Sequence, residues 1–169
     1  MAVTQQIARL PAELLAECRL SVEVLDRLCS FKAAGVDHLD LDWAPRDLRR
    51  VCDLARTDGR LRDAVRDAMA GDAEVNPEYA EYGDIAEHPV TELTPARVAE
   101  IAGCLRELDV ETIFAVLPAD AELAKAALGP NPLDFDNHPT DYLAPHLTAL
   151  RDFYEQAAQR GQATIMWWD

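Results

Sequence analysis

Hydrophobic positions alternate with polar ones at two places and recur at helical spacing almost everywhere between them. A first strand is predicted over about 3 to 9. Pro11 then opens AELLAEC as a helix, since proline's missing N–H costs nothing in a first turn. A second helix runs from Ser21 to Ala34, with Ser21 as N-cap and Gly35 as the stop. From Pro45 to Arg56, Leu48, Val51, Cys52 and Ala55 follow the i, i+3, i+4, i+7 rule, and Arg60 to Ala70 repeats the pattern with Leu61, Val65, Ala68 and Met69. LTPARVAEIAGCLREL carries Thr94 as cap, Pro95 in the first turn and a stripe of Val98, Ile101, Ala102, Leu105 and Leu108.

Shorter helices are expected over 109–117 and Asp120 to Leu128. A long last helix is marked by Leu143, Leu147, Leu150, Tyr154 and Ala157, with Pro145 close to its first turn and Gly161 as its end. ATIMWW sets Ala163, Ile165 and Trp167 against Thr164, Met166 and Trp168, the period of two of a closing strand. Between Asp72 and Glu92, Pro77, Gly83 and Pro89 interrupt any regular helix, which predicts a long irregular loop with a strand near Ile85. Helices in runs, with strands at both ends, give an α+β fold of several helices on a small, mainly antiparallel sheet. At 169 residues this is one domain, 1–169.

Charge narrows the function. The chain has 31 acids against 16 bases, a net charge of −15. Such a field opposes nucleic acid and anionic lipid, both of which are bound by Lys and Arg displacing counterions, and it steers in cationic proteins. The acids are unevenly spread: residues 72–92 hold seven and no Lys or Arg, whereas 45–66 hold seven arginines and four aspartates. On the latter segment Asp47 with Arg50, and Arg49 with Asp53, are spaced for intrahelical ion pairs. No run approaches the ~18 apolar residues of a membrane helix, and MAVTQQIARL has neither the basic nor the apolar region of a secretory signal. A cytoplasmic protein is expected. Cys18, Cys29, Cys52 and Cys104 lack CxxC spacing and sit among apolar positions, as reduced core thiols do.

Chemistry is sparse. There is no GxSxG turn, GxGxxG loop or GxxxxGK[ST] loop, so no cofactor is called for. In DHLDLDWAP, residues 37 to 45, a regular strand puts His38, Asp40 and Asp42 on one side at steps of about 7 Å, with Leu39, Leu41 and Trp43 on the other. Joined by His88 or His138 from a loop, that set describes a small metal-assisted hydrolase. As a bland strand-to-helix junction, its carboxylates merely face water. PEYAEYGD offers Tyr79 and Tyr82 among Glu78, Glu81 and Asp84, amphipathic rings with an anionic rim. The reading that follows is a non-catalytic binding protein using Asp40, Asp42, Tyr79, Tyr82 and Asp84 against a basic protein, an immunity or inhibitor protein being one form of it.

The layout resembles the YfbM-like family of bacterial proteins of unknown function. The resemblance rests on LDLD at 39–42 leading into a helix, on HPVTELTPARVAEIAGCL at 88–105 and on LRDFYEQAAQRGQATIMWWD at 150–169. It spans most of the chain in order and implies an α+β fold. The family usually places a Lys, a Trp and two histidines after LDLD, where this chain reads WAPRDLRR. It tends to a Gly-Pro-Ala-Arg-like segment before LTP, where this chain has His88, Pro89, Val90 and Thr91. The resemblance thus implies a fold and assigns no activity. An arginine- and alanine-rich composition with two lysines, Lys32 and Lys125, points the same way, to a bacterial source.

Overall fold

A computed structural model describes residues 4–81, 88–130 and 137–169. Its first strand is β1 (Gln5–Leu10), in which every residue is buried. The strand lies between β2 (Asp37–Asp42) and β5 (Ala163–Trp168), and β5 pairs in turn with β4 (Thr91–Leu93), which pairs with β3 (Ala73–Glu74). All four pairings are antiparallel. The two long central strands are therefore the chain's predicted first and last.

Both faces of the sheet are covered, which is why QQIARL lacks the half-polar alternation of a surface strand. Ala8, Leu10, Ala163, Ile165 and Trp167 pack beneath α1 (Ala12–Leu20) and α2 (Val22–Cys29). On the opposite face Ile7, Leu41, Leu93 and Met166 meet a thicker layer. That layer contains α3 (Pro45–Leu54), α4 (Gly59–Ala70), α5 (Pro95–Leu105), α6 (Val110–Phe114), α7 (Ala121–Leu128) and α8 (Pro139–Gln159). The fold is α+β, with eight helices on a five-stranded antiparallel sheet among the described residues.

Polar side chains inside this sandwich are tied down. Tyr154, fully buried on α8, donates its hydroxyl to the Ala68 carbonyl at 2.6 Å and sits 3.3 Å from Thr164 Oγ1, linking α8 to α4 and β5. Arg9 holds Asp37 Oδ2 at 2.8 Å across the β1–β2 pair and lies 4.8 Å from the centre of the Phe153 ring.

Several predicted boundaries move. Helix α2 stops at Cys29, five residues before Ala34, because Phe31 turns left-handed (φ 58°) and lays its ring 5.6 Å from Trp167. Gly35, also at positive φ, serves the turn into β2 and ends no helix. Helix α8 starts at Pro139, so Pro145 lies inside it as the seventh residue, and the helix runs on past it at the cost of one backbone hydrogen bond. The strand expected near Ile85 falls outside the described residues, and the strands that border that segment are β3 and β4.

Candidate functional site

The sheet-to-helix junction DHLDLDWAP is built on a register fault. Gln6 pairs with Asp40 and Gln5 with Asp42, so β2 carries one residue more than β1 across that step, a β-bulge. Asp42 closes the bulge at φ 49°, a conformation an L-residue other than glycine, Asn or Asp rarely takes. Two contacts hold it there. Asp40 Oδ1 accepts the Asp42 N–H at 2.7 Å, and Asp42 Oδ2 accepts the Tyr142 hydroxyl at 2.9 Å. The same phenol oxygen accepts the Trp43 N–H at 3.2 Å, so one tyrosine on α8 pins both residues of the turn.

Regular alternation, which places His38, Asp40 and Asp42 on one side, therefore fails at the bulge. Asp42 is turned to α8, on the thick side of the sheet. His38 stays on the α1–α2 side, 5.1 Å from the Phe31 ring and 5.9 Å from Trp167 in an edge-on arrangement. Its Nε2 is buried without a hydrogen-bond partner, and burial lowers its pKa, so the imidazole is held neutral among aromatics. Asp40 remains exposed.

The remaining histidines are also dispersed. His138 is the N-cap of α8: its Nδ1 accepts the Thr140 N–H at 3.2 Å while Nε2 donates to the Pro118 carbonyl at 2.8 Å. His88 is exposed, with its ring 5.4 Å from Trp168. His146 stacks edge-on against Tyr142 at 4.7 Å; burial lowers its pKa, opposed by the charges of Asp42 and Asp40. None of His38, His88 or His138 joins Asp42. Among the described residues, no group of three or more His, Cys, Asp or Glu side chains is arranged to hold a metal ion. The junction partners Tyr142 and His146 escape a local reading because they lie about 100 residues downstream; their one signal is the i, i+4 spacing that puts both on one face of α8.

Tyr79 occupies a different surface. It stands in a 3-10 turn, Pro77–Glu81, whose start is fixed by buried Asn76: Oδ1 accepts the Glu78 N–H at 3.0 Å and Nδ2 donates to the Cys18 carbonyl at 3.5 Å. The turn is thereby fastened to α1. The half-buried Tyr79 ring packs on the α1–α2 core, and its hydroxyl lies 3.4 Å from Asp26 Oδ1. Burial, then the neighbouring Cys29 and Asp26, raise the phenol's pKa, so it remains a donor. Glu74 and Glu78, which precede it in the chain, are exposed. Tyr82 and Asp84 lie outside the described residues.

The bases are largely spent internally. Arg19 pairs with buried Glu92, Arg97 with Asp67, Asp72 and Glu100, Arg60 with Glu107, and Arg9 and Arg160 with Asp37. On α3 and α4 the expected Arg49–Asp53 pair gives way to Arg62–Asp53 at 3.7 Å, and Arg46 lies 3.6 Å from Asp47. Arg66 pairs with Asp63 and Asp67.

The family model for the domain of unknown function DUF1877 matches residues 54–167. The chain belongs to the DUF1877 family. A solved structure, that of a protein of unknown function, YfbM, from Escherichia coli, shares 15% identity and overlaps 96% of this chain and 98% of its own, with a TM-score of 0.60. At that identity the likeness concerns the fold, and it agrees with the YfbM-like resemblance in the sequence. No curated protein matches the chain. The DUF1877 match begins at Leu54 and so leaves DHLDLDWAP outside it, whereas β4, α5, α8 and all of β5 but Trp168 lie within. No helix among the described residues is long and apolar enough to cross a membrane.

Proposed function

We propose that this DUF1877 protein is a binding protein without catalysis of its own, which receives a cationic protein on the acidic face around Tyr79. The observation that carries the reading is the Tyr79–Asp26 contact: an amphipathic ring is seated on the core with its polar tip at an exposed carboxylate, and exposed Glu74 and Glu78 precede it in the chain. A half-buried aromatic with a charged rim suits recognition, because the ring supplies contact area at low entropic cost while the rim sets the sign of the partner. Most arginines are matched by acids of the same chain, and the acids still outnumber the bases by 31 to 16, so the field that reaches solvent is dominated by acids. Asp40 is exposed and fits the same role at the sheet edge, while Asp42 is committed to Tyr142 and serves the junction. An immunity or inhibitor protein acting on a basic target is one form of this function, and a cytoplasmic setting goes with it.

The test is a low-salt pull-down with the wild-type chain beside Tyr79→Ala and Glu78→Gln, neither of which removes a fully buried group. A basic protein retained by the wild type, lost from both variants and released by about 0.5 M salt supports the reading. Retention unchanged in both variants removes it.

A further inference from the structure

Where β1 begins and β5 ends, a cleft of about 340 Å³ lies between the sheet and the α3–α4 pair. Its rim and walls differ sharply in chemistry. Met69 and Met166 form an apolar lining, and Trp168 and His88, rings 5.4 Å apart and inclined by 37°, form an aromatic side. Arg49 and Arg66 bring guanidinium groups from the basic segment of the chain. Arg66 is shared with Asp63 and Asp67, but Arg49 makes no ion pair with a described residue.

Gln5 makes the cleft more than a charged hollow. The residue lines it and is only 4% exposed. Its Nε2 donates to the Met69 carbonyl at 2.6 Å, whereas its Oε1 is buried with no partner. Buried acceptors are nearly always satisfied, and one left bare costs about 1–3 kcal/mol. The bare oxygen is itself closed off from the cleft as the side chain stands, so a ligand meets it only when the Gln5 amide turns toward the opening.

We propose that this cleft binds a planar heterocycle that carries a phosphate or a carboxylate, no larger than a mononucleotide. The ring lies along Trp168 and His88 over the methionines, a ring N–H or exocyclic amine supplies the hydrogen bond that Gln5 Oε1 lacks once the amide turns outward, and Arg49 takes the anionic group. Stacking and cation placement of this kind are the two forces that hold single bases on proteins. The volume stands near the lower end of the roughly 300–1,000 Å³ range of small-molecule sites, which suits one base and its anionic group. The chain's charge of −15 weakens the approach of any anion from a distance, so recognition rests on the contacts within the cleft. This site is separate from the acidic face at Tyr79, and neither proposal depends on the other.

The experiment is calorimetric titration of the full chain with AMP, UMP and orotate, and with inorganic phosphate as the bare anion. Saturable one-to-one binding of a mononucleotide or of orotate, at least tenfold tighter than phosphate, is expected, and the arm that binds tells phosphate from carboxylate. Arg49→Gln, at an exposed position that makes no ion pair with a described residue, weakens that binding at least tenfold while its urea midpoint stays that of the wild type; Gln5→Met, near in shape but without the acceptor, weakens it at least threefold. Phosphate binding as tightly as every heterocycle would mark a mere anion patch and overturn the proposal. So would the absence of binding at millimolar concentration, or affinities that Arg49→Gln leaves unchanged.

Discussion

Removing one oxygen from Tyr142 tests how the LDLD junction is held. The phenol donates to the Asp42 carboxylate at 2.9 Å and accepts the Trp43 N–H at 3.2 Å. A hydrogen bond to a charged acceptor contributes about 1.5–3 kcal/mol and a neutral one about 1. Both partners here are half-buried and regain water in part, so Tyr142→Phe should cost about 1–2 kcal/mol. Asp42 supplies the discriminating second arm. At φ 49° it is strained by about 1 kcal/mol relative to glycine, so Asp42→Gly relieves strain while it loses the phenol. In the wild type these effects nearly cancel. In the Tyr142→Phe background, where the bond is already gone, the same change should stabilise by about 1 kcal/mol. Urea denaturation of the four proteins, followed through tryptophan fluorescence, measures the cycle. A Tyr142→Phe cost below about 0.3 kcal/mol, or an Asp42→Gly effect identical in both backgrounds, would refute the idea that the tyrosine pays for the left-handed aspartate.

Other substitutions probe the frame around the sites. Gly71→Ala places a Cβ 2.7 Å from Thr91 Oγ1 at φ 69° and should cost more than about 2 kcal/mol in denaturation, whereas Gly103→Ala, with nothing within 4 Å on α5, should stabilise by about 0.5–1 kcal/mol. Arg9, first by hydrogen bonding and then by its charge, holds Asp37 below the ordinary carboxylate range. Because that pKa is depressed in the fold, the pair's contribution is present above an unfolded value of about 3.9 and fades as pH falls through the folded one. Asp37→Asn should therefore flatten the acid limb of a stability–pH curve below about pH 4. Burial raises the thiols of Cys18 and Cys52 to about 11 and that of Cys29 to about 12, while Cys104 is half-buried. Native-state labelling with a disulfide reagent at pH 8 should modify Cys104 first, and a fast second thiol would contradict the packing.

The architecture was legible because its largest signals are periodic. Thr94 and Pro95 announce α5, and Thr94 Oγ1 does accept the Arg97 N–H at 3.4 Å. The alternation in ATIMWW separates the two cores as it stands, with Ile165 and Trp167 under α1–α2 and Met166 against the thick layer. What eluded sequence reasoning is non-local. The side that Asp42 faces depends on a bulge set by pairing with β1 and on a tyrosine 100 residues away. Phe31 ends α2 early because an aromatic contact with His38 and Trp167 outweighs its helical prospects. Gln5 reads as an ordinary polar strand residue until the methionine carbonyl and the empty acceptor beside it are seen. Tyr79 stands out in the sequence by its acidic neighbours alone, and its contact with Asp26 on α2 is one that composition does not show.

The claim that the Tyr79 face is a docking surface for cationic protein is met most directly by mapping a defined ligand onto the backbone. In a ¹⁵N-labelled sample titrated with an oligoarginine peptide at low salt, the account expects amide shifts concentrated at Asp26, Glu74, Glu78 and Tyr79, weakened in Tyr79→Ala and erased by about 0.5 M salt. Shifts centred instead on the acids at α6 and α7, such as the N-cap Asp109, Glu111 and Glu122, or spread evenly over exposed carboxylates, would contradict it.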